Sequence, residues 1–201
     1  MNQSEYQRYY KAQLESALQF QDFVVECCFH ILRMPISLYG SKLYQQQVGE
    51  SLTGVEIKYD KNYCNTGNLY IETAEKALPR DGDFAPSGIY RSDNSWLYII
   101  GDYDTLFVFS KKILIALHRS NKYKQVEIKI KTSQGMLLPE LDAKKYSSVI
   151  MKPNAKSKIE KSIVAIDDLA CSMFASMLTK HSTQLMLDFG DFDVQVKGVP
   201  S

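Results

Sequence analysis

Seven consecutive residues, Thr53-Gly54-Val55-Glu56-Ile57-Lys58-Tyr59, constrain the fold of this chain more than any other stretch. Side chains alternate across a strand, so Thr53, Val55, Ile57 and Tyr59 form a β-branched and aromatic face, while Glu56 and Lys58 share the opposite one. A long helix is predicted just upstream over residues 6–32. Tyr10, Leu14, Ala17, Val24, Cys28 and Ile31 fall on one stripe, and Pro35 ends it. Downstream, residues 68–72 read as a second strand. The polar turn between, with Asn62, Asn65 and Gly67, predicts a hairpin that places the two strands side by side in one sheet.

Further on, residues 79–86 read as a loop, and 96–101 and 105–109 as two short apolar strands. Ser110 is a candidate N-cap for a helix through Ile113 and Leu117. Residues 126–131 alternate Val126, Ile128 and Ile130 with Glu127, Lys129 and Lys131, the pattern of a strand buried on one face. Helical spacing returns at 141–150 and at 158–178, where Ile159, Ile163, Ile166, Ala170, Met173 and Met177 repeat every three or four residues. That order of elements predicts an α/β sandwich with a central mixed β-sheet flanked by helices. At 201 residues the chain suits one domain, expected over 1–183, with a tail at 184–201.

Composition closes off several functions. No run of about 18 apolar residues is present, so no membrane span is expected. Residues 1–5 lack the basic and apolar regions of a signal peptide. Cys27, Cys28, Cys64 and Cys171 show no CxxC spacing and read as reduced thiols of a cytoplasmic protein. His30, His118 and His181 are far apart, which gives histidine-based metal or triad chemistry little support, and no P-loop or dinucleotide glycine pattern occurs. Net charge is only +1, but Lys122, Lys124, Lys129 and Lys131 cluster, and Lys144, Lys145, Lys152, Lys156, Lys158 and Lys161 follow. These lysines either track a phosphate backbone or form a solvated face.

The chemistry concentrates around Glu56 and Lys58. Metal-assisted phosphodiester cleavage needs carboxylates to hold a divalent ion and a lysine to orient or help deprotonate the attacking water. A bare Glu-x-Lys also occurs as an exposed ion pair on a sheet surface. In a compact register Glu50 and Glu56 are the metal ligands, with the Ile57 carbonyl as a third and Lys58 on the water. In a wider register Glu56 and Glu72 are the acids, but Ala74 then stands where the lysine should be, and Lys76 would have to reach in from further along. The compact register is preferred, with Glu72 and Asp60 as supporting acids.

The run Glu50-Ser51-Leu52-Thr53-Gly54-Val55-Glu56-Ile57-Lys58, followed by Asp60, Thr66-Gly67-Asn68, Ile71-Glu72 and Ser87-Gly88-Ile89, resembles the PD-(D/E)XK superfamily. The likeness is to its phage and mobile-element nucleases and covers roughly residues 20–140, with the parts in the expected order. Glu50 stands where that family usually has Asp. The resemblance implies a restriction-endonuclease-like fold and a magnesium- or manganese-dependent nuclease, endo- or exonucleolytic, acting on DNA. It also implies that Glu26, on the helix before the sheet, is a further candidate acid. A catalytically inactive relative that binds nucleic acid or a protein partner is the alternative. A homodimer is a further possibility. In the tail, Gln184-Leu185-Met186-Leu187-Asp188-Phe189 resembles a sliding-clamp-binding motif, although a packing segment would read the same way.

Overall fold

The first helix, α1 (Gln3–Leu32), stops where Arg33 takes a left-handed conformation (φ 55°) and the Met34 N–H reaches back to the Cys28 carbonyl at 3.0 Å. In chain order there follow α2 (Lys42–Val48), β1 (Val55–Tyr59), α3 (Tyr63–Thr66), β2 (Asn68–Glu75), β3 (Ala85–Pro86) and a 3-10 turn at Gly88–Tyr90. Next come β4 (Leu97–Gly101), β5 (Leu106–Ser110), α4 (Lys111–Arg119), β6 (Gln125–Glu127), β7 (Ser133–Pro139), α5 (Glu140–Tyr146), β8 (Val149–Met151) and β9 (Ile159–Ser162). The computed structural model describes residues 3–162. Most of the 158–178 helix, Cys171, His181 and the Gln184–Phe189 motif lie outside the described residues.

Two sheets stack. One is mixed and five-stranded, in the order β1-β4-β5-β8-β9, with β1 parallel to β4 and the remaining pairs antiparallel. The other is antiparallel and four-stranded, in the order β3-β2-β7-β6. The fold is therefore mixed α/β, as the order of elements predicts. Phe20, Val24, Cys28 and Leu32 of α1 pack on Val55, Ile57, Ile99 and Val108, which cover one face of the five-stranded sheet. On its other face Tyr98, Ile100, Phe107 and Phe109 meet Leu69, Ile71, Met136 and Leu138 of the second sheet, with Leu114 of α4 and Ala143 of α5 at the flanks.

Several expectations are corrected. The segments around 53–59 and 68–72 form no hairpin and lie in different sheets: β1 pairs with β4, and β2 with β7. The reason is local. Asp60 accepts from the Asn62 N–H at 3.0 Å and the Tyr70 N–H at 2.7 Å, and α3 closes on Gly67 (φ 62°), so the chain makes a helical turn and crosses between layers. One face of the mixed sheet is thus covered largely by a second sheet rather than by helices alone.

The buried stripe of α1 is shorter than expected. Leu14 and Ala17 are only half-buried and Leu18 is exposed, because a 30-residue helix runs about 45 Å and overshoots strands of five residues, about 17 Å long. Residues 149–151 and 159–162 are strands instead of helix. The predicted strand at 126–131 stops at Glu127, where a turn leads into β7. Ser110 does precede α4, but its side chain makes no capping bond.

Candidate functional site

Glu50 reaches the strand through a tight turn. The Ser51 hydroxyl accepts from the Val55 N–H (2.7 Å) and donates to the Val55 carbonyl (2.9 Å), and Gly54 (φ 72°) lets the chain reverse. The turn brings the Glu50 carboxylate back onto β1, where it accepts the Ile57 N–H at 2.5 Å. Side-chain alternation sends Glu56 and Lys58 away from α1, onto the face shared by their register partners Tyr98 and Ile100. The Lys58 ammonium donates to Glu56 Oε1 at 2.7 Å.

Burial makes this group unusual. Glu56 is 3% exposed and Glu50 8%, whereas the Lys58 side chain is 41% exposed and opens into the cleft. Burial, reinforced by the neighbouring Glu56 charge, pushes the Glu50 carboxyl up to about 8. Burial alone would lower Lys58, but the carboxylates of Glu56, Glu50 and Glu72 outweigh it and hold the ammonium above its usual range. The second oxygen of Glu56, Oε2, is buried with no hydrogen-bond partner. A buried carboxylate oxygen left bare costs about 1–3 kcal/mol or more. A divalent cation would relieve both that oxygen and the Glu50–Glu56 repulsion, so the donor set suits a hard metal ion.

Glu72 comes from the other sheet. Its oxygens accept from Ser87 Oγ and Ser133 Oγ, each at 2.7 Å, and the Ser133 hydroxyl also lies 2.7 Å from the Tyr70 hydroxyl. Thus held, Glu72 faces the cleft near enough to influence Lys58 but does not join the acid pair. Among the described residues, no three His, Cys, Asp or Glu side chains gather closely enough to hold a metal ion. The expected Glu50–Glu56–Glu72 cluster is therefore not assembled, and Glu72 stands apart from Glu50 and Glu56.

The remaining candidates separate. Glu26 is exposed on α1, the layer packed on the opposite face of the β1 sheet, and lines neither cavity at the cleft. Asp60 has each oxygen on a backbone N–H, a structural role, and burial raises its carboxyl. Lys76 donates to the Asp81 carbonyl at 2.7 Å and sits over the Phe84 ring, in the part of the cleft away from Lys58. Of the lysine cluster, Lys129 lines the Lys58 cavity, while Lys122, Lys124 and Lys131 are exposed and line neither cavity. In the later run, Lys144 pairs with Glu140 at 2.7 Å, and Lys161 donates to the Lys144 and Ser147 carbonyls.

The contacts that sequence reasoning missed are Ser87, Ser133 and Tyr70 around Glu72, together with the Arg91 charge that acts on Glu50. The Ser87-Gly88-Ile89 segment stands out in the sequence, yet nothing in it indicates that Ser87 holds Glu72. No protein-family model matches this chain, and no curated protein or solved structure matches it either.

Proposed function

We propose that this protein is a metal-dependent nuclease of the PD-(D/E)XK type, hydrolysing phosphodiester bonds in nucleic acid at the Glu50–Glu56–Lys58 centre. The observation that carries the proposal is the bare, buried Glu56 Oε2 beside a second buried carboxylate and beneath a half-exposed lysine. The superfamily assignment rests on this strand and its turn, and the restriction-endonuclease-like topology is proposed from the order α1–β1 with its acid pair. The separate sheet occupied by β2 is no part of that support.

Glu50 and Glu56 would hold magnesium or manganese, with the Ile57 carbonyl as the candidate third ligand. When bound, such an ion supplies Lewis acidity to a phosphoryl oxygen and lowers the pKa of water. Lys58 stands at the mouth of the acid pair, where its ammonium can orient the attacking water and meet charge developing on the phosphate. Glu72, fixed by two serines, adds to the negative field on Lys58, which Glu56 and Glu50 dominate.

The test is cleavage of single- and double-stranded DNA and RNA with magnesium or manganese. Glu56→Ala should abolish cleavage and metal binding while the fold stays intact by circular dichroism. Lys58→Ala should lose at least about 100-fold in rate yet still bind manganese. Full activity in Glu56→Ala would overturn the proposal. A second reading, an inactive relative serving as a binding module, is favoured by the Lys58–Glu56 contact, in which the lysine itself neutralises the acid. It predicts no manganese binding and no cleavage by the wild-type protein.

A further inference from the structure

We infer that the substrate is single-stranded nucleic acid, seated between the N-terminal half of α1 and the β6–β7 turn; this rests on the nuclease reading above. Lys58 opens into a cavity of about 770 Å³, walled on one side by Tyr9 and Gln13 of α1 and on the other by Ile128 and Lys129 of the turn. That volume falls within the range that encloses a single small ligand, roughly 300–1,000 Å³. Each wall has a contact with the sheets. The Lys61 ammonium donates to Gln13 Oε1 at 2.9 Å, tying α1 to the end of β1. The turn is held by the β6–β7 ladder and by the Ile128 N–H on the Ser133 carbonyl at 3.0 Å.

A duplex carries its phosphates on the outside of stacked base pairs. Those bases are paired and stacked on one another, so a duplex presents phosphate to Lys58 but no free base face to the rings beside it. A single strand presents both, because its bases can splay and stack on aromatic rings while lysines follow the backbone. The cavity offers both kinds of group. Tyr9 is 44% exposed and Tyr70 half-buried, and Lys58, Lys61 and Lys129 line the same cavity.

Charge also sets where the strand runs. Beyond Glu72 lies a second cavity of about 950 Å³, lined by Glu75, Asp81 and Asp83 against Lys76. Those carboxylates repel phosphate, so the strand stays on the lysine side of Glu72.

The experiment is fluorescence anisotropy on the full chain with metal chelated. The probes are a labelled DNA strand of about 12 nucleotides, within the usual site size of single-strand binders, the same sequence as RNA, and a blunt DNA duplex. At least one single strand should bind about tenfold or more tightly than the duplex, and the better of the two identifies the sugar. Tyr9→Ala should weaken that binding about fivefold or more. Lys129→Ala should weaken it and reduce the salt dependence by about one phosphate contact. Lys122→Ala and Lys124→Ala should change neither. Duplex binding equal to or tighter than both single strands would overturn the inference, as would unchanged binding by both Tyr9→Ala and Lys129→Ala. Magnesium-dependent cleavage by a protein that prefers duplex would leave the nuclease reading standing and remove this one. Tight single-strand binding by a protein that cleaves nothing with any metal would do the reverse.

Discussion

Glu50 and Glu56 place two carboxylates in a poorly solvated corner, and their protonation couples to stability in a defined direction. The folded-state carboxyl of Glu50 lies near 8, against an ordinary glutamate value of 4.5. A raised acid contributes stability that is fully present below about pH 4.5 and is lost as pH rises through about 8. Glu50→Gln cannot ionise and keeps an acceptor for the Ile57 N–H. In chelator, the stability of this variant relative to wild type should therefore rise by up to about 1.4 kcal/mol per pH unit across that window, measured by urea unfolding at several pH values. A constant difference from pH 4.5 to 8 would show that Glu50 ionises freely. Glu56 and Lys58 could be paired from sequence because a spacing of two fixes the face of a strand. The serines on Glu72 could not, because Ser87 and Ser133 reach it only after two other segments have packed against β2.

At the scale of elements, the 3-10 turn at Gly88–Tyr90 joins the two sheets. Gly88 (φ 52°) lies against the Glu72 backbone, where an added Cβ would run into the Glu72 carbonyl oxygen, and its own carbonyl accepts the Tyr98 hydroxyl at 2.7 Å. Gly88→Ala should destabilise by about 2 kcal/mol or more, from left-handed strain and the clash, read by denaturant midpoint. It should also lower cleavage, because Ser87 moves with the turn. An unchanged midpoint would mean that the two sheets are not held together here. The segment of β8, Val149-Ile150-Met151, fits both periods because it is a short apolar run, and β9, Ile159-Glu160-Lys161-Ser162, has too few apolar residues to show either. Pairing of Ile150 with Phe107 of β5, and of β9 with β8, decides for strand. The polar linker after β1 carries the Asn and Gly of a hairpin turn, but these residues signal a turn without fixing its partner. Asp60, by bonding the Tyr70 N–H, directs the chain into the other sheet.

Across the whole molecule, the burial of α1 is concentrated in its C-terminal half. Phe20, Val24, Cys28 and Leu32 are fully buried, whereas Gln7, Arg8, Tyr9, Lys11 and Ala12 are exposed. Amide exchange should therefore be slow over residues 24–32 and faster by orders of magnitude before residue 16. Equal protection along the helix would mean that its N-terminal half is covered as firmly as its C-terminal half. The described helices include none long and apolar enough to cross a membrane. By itself the sequence determined the amphipathic helix, the existence of β1 and the shared face of Glu56 and Lys58, because each follows from a period of 3.6 or 2 written into neighbouring residues. Only the tertiary structure decided that β2 joins a second sheet, that Glu72 stands opposite Lys58 without joining the acid pair, and that Lys129 alone of its cluster lines the cleft. Those outcomes depend on which apolar faces bury one another across the sandwich, and that choice is made among segments far apart in the chain.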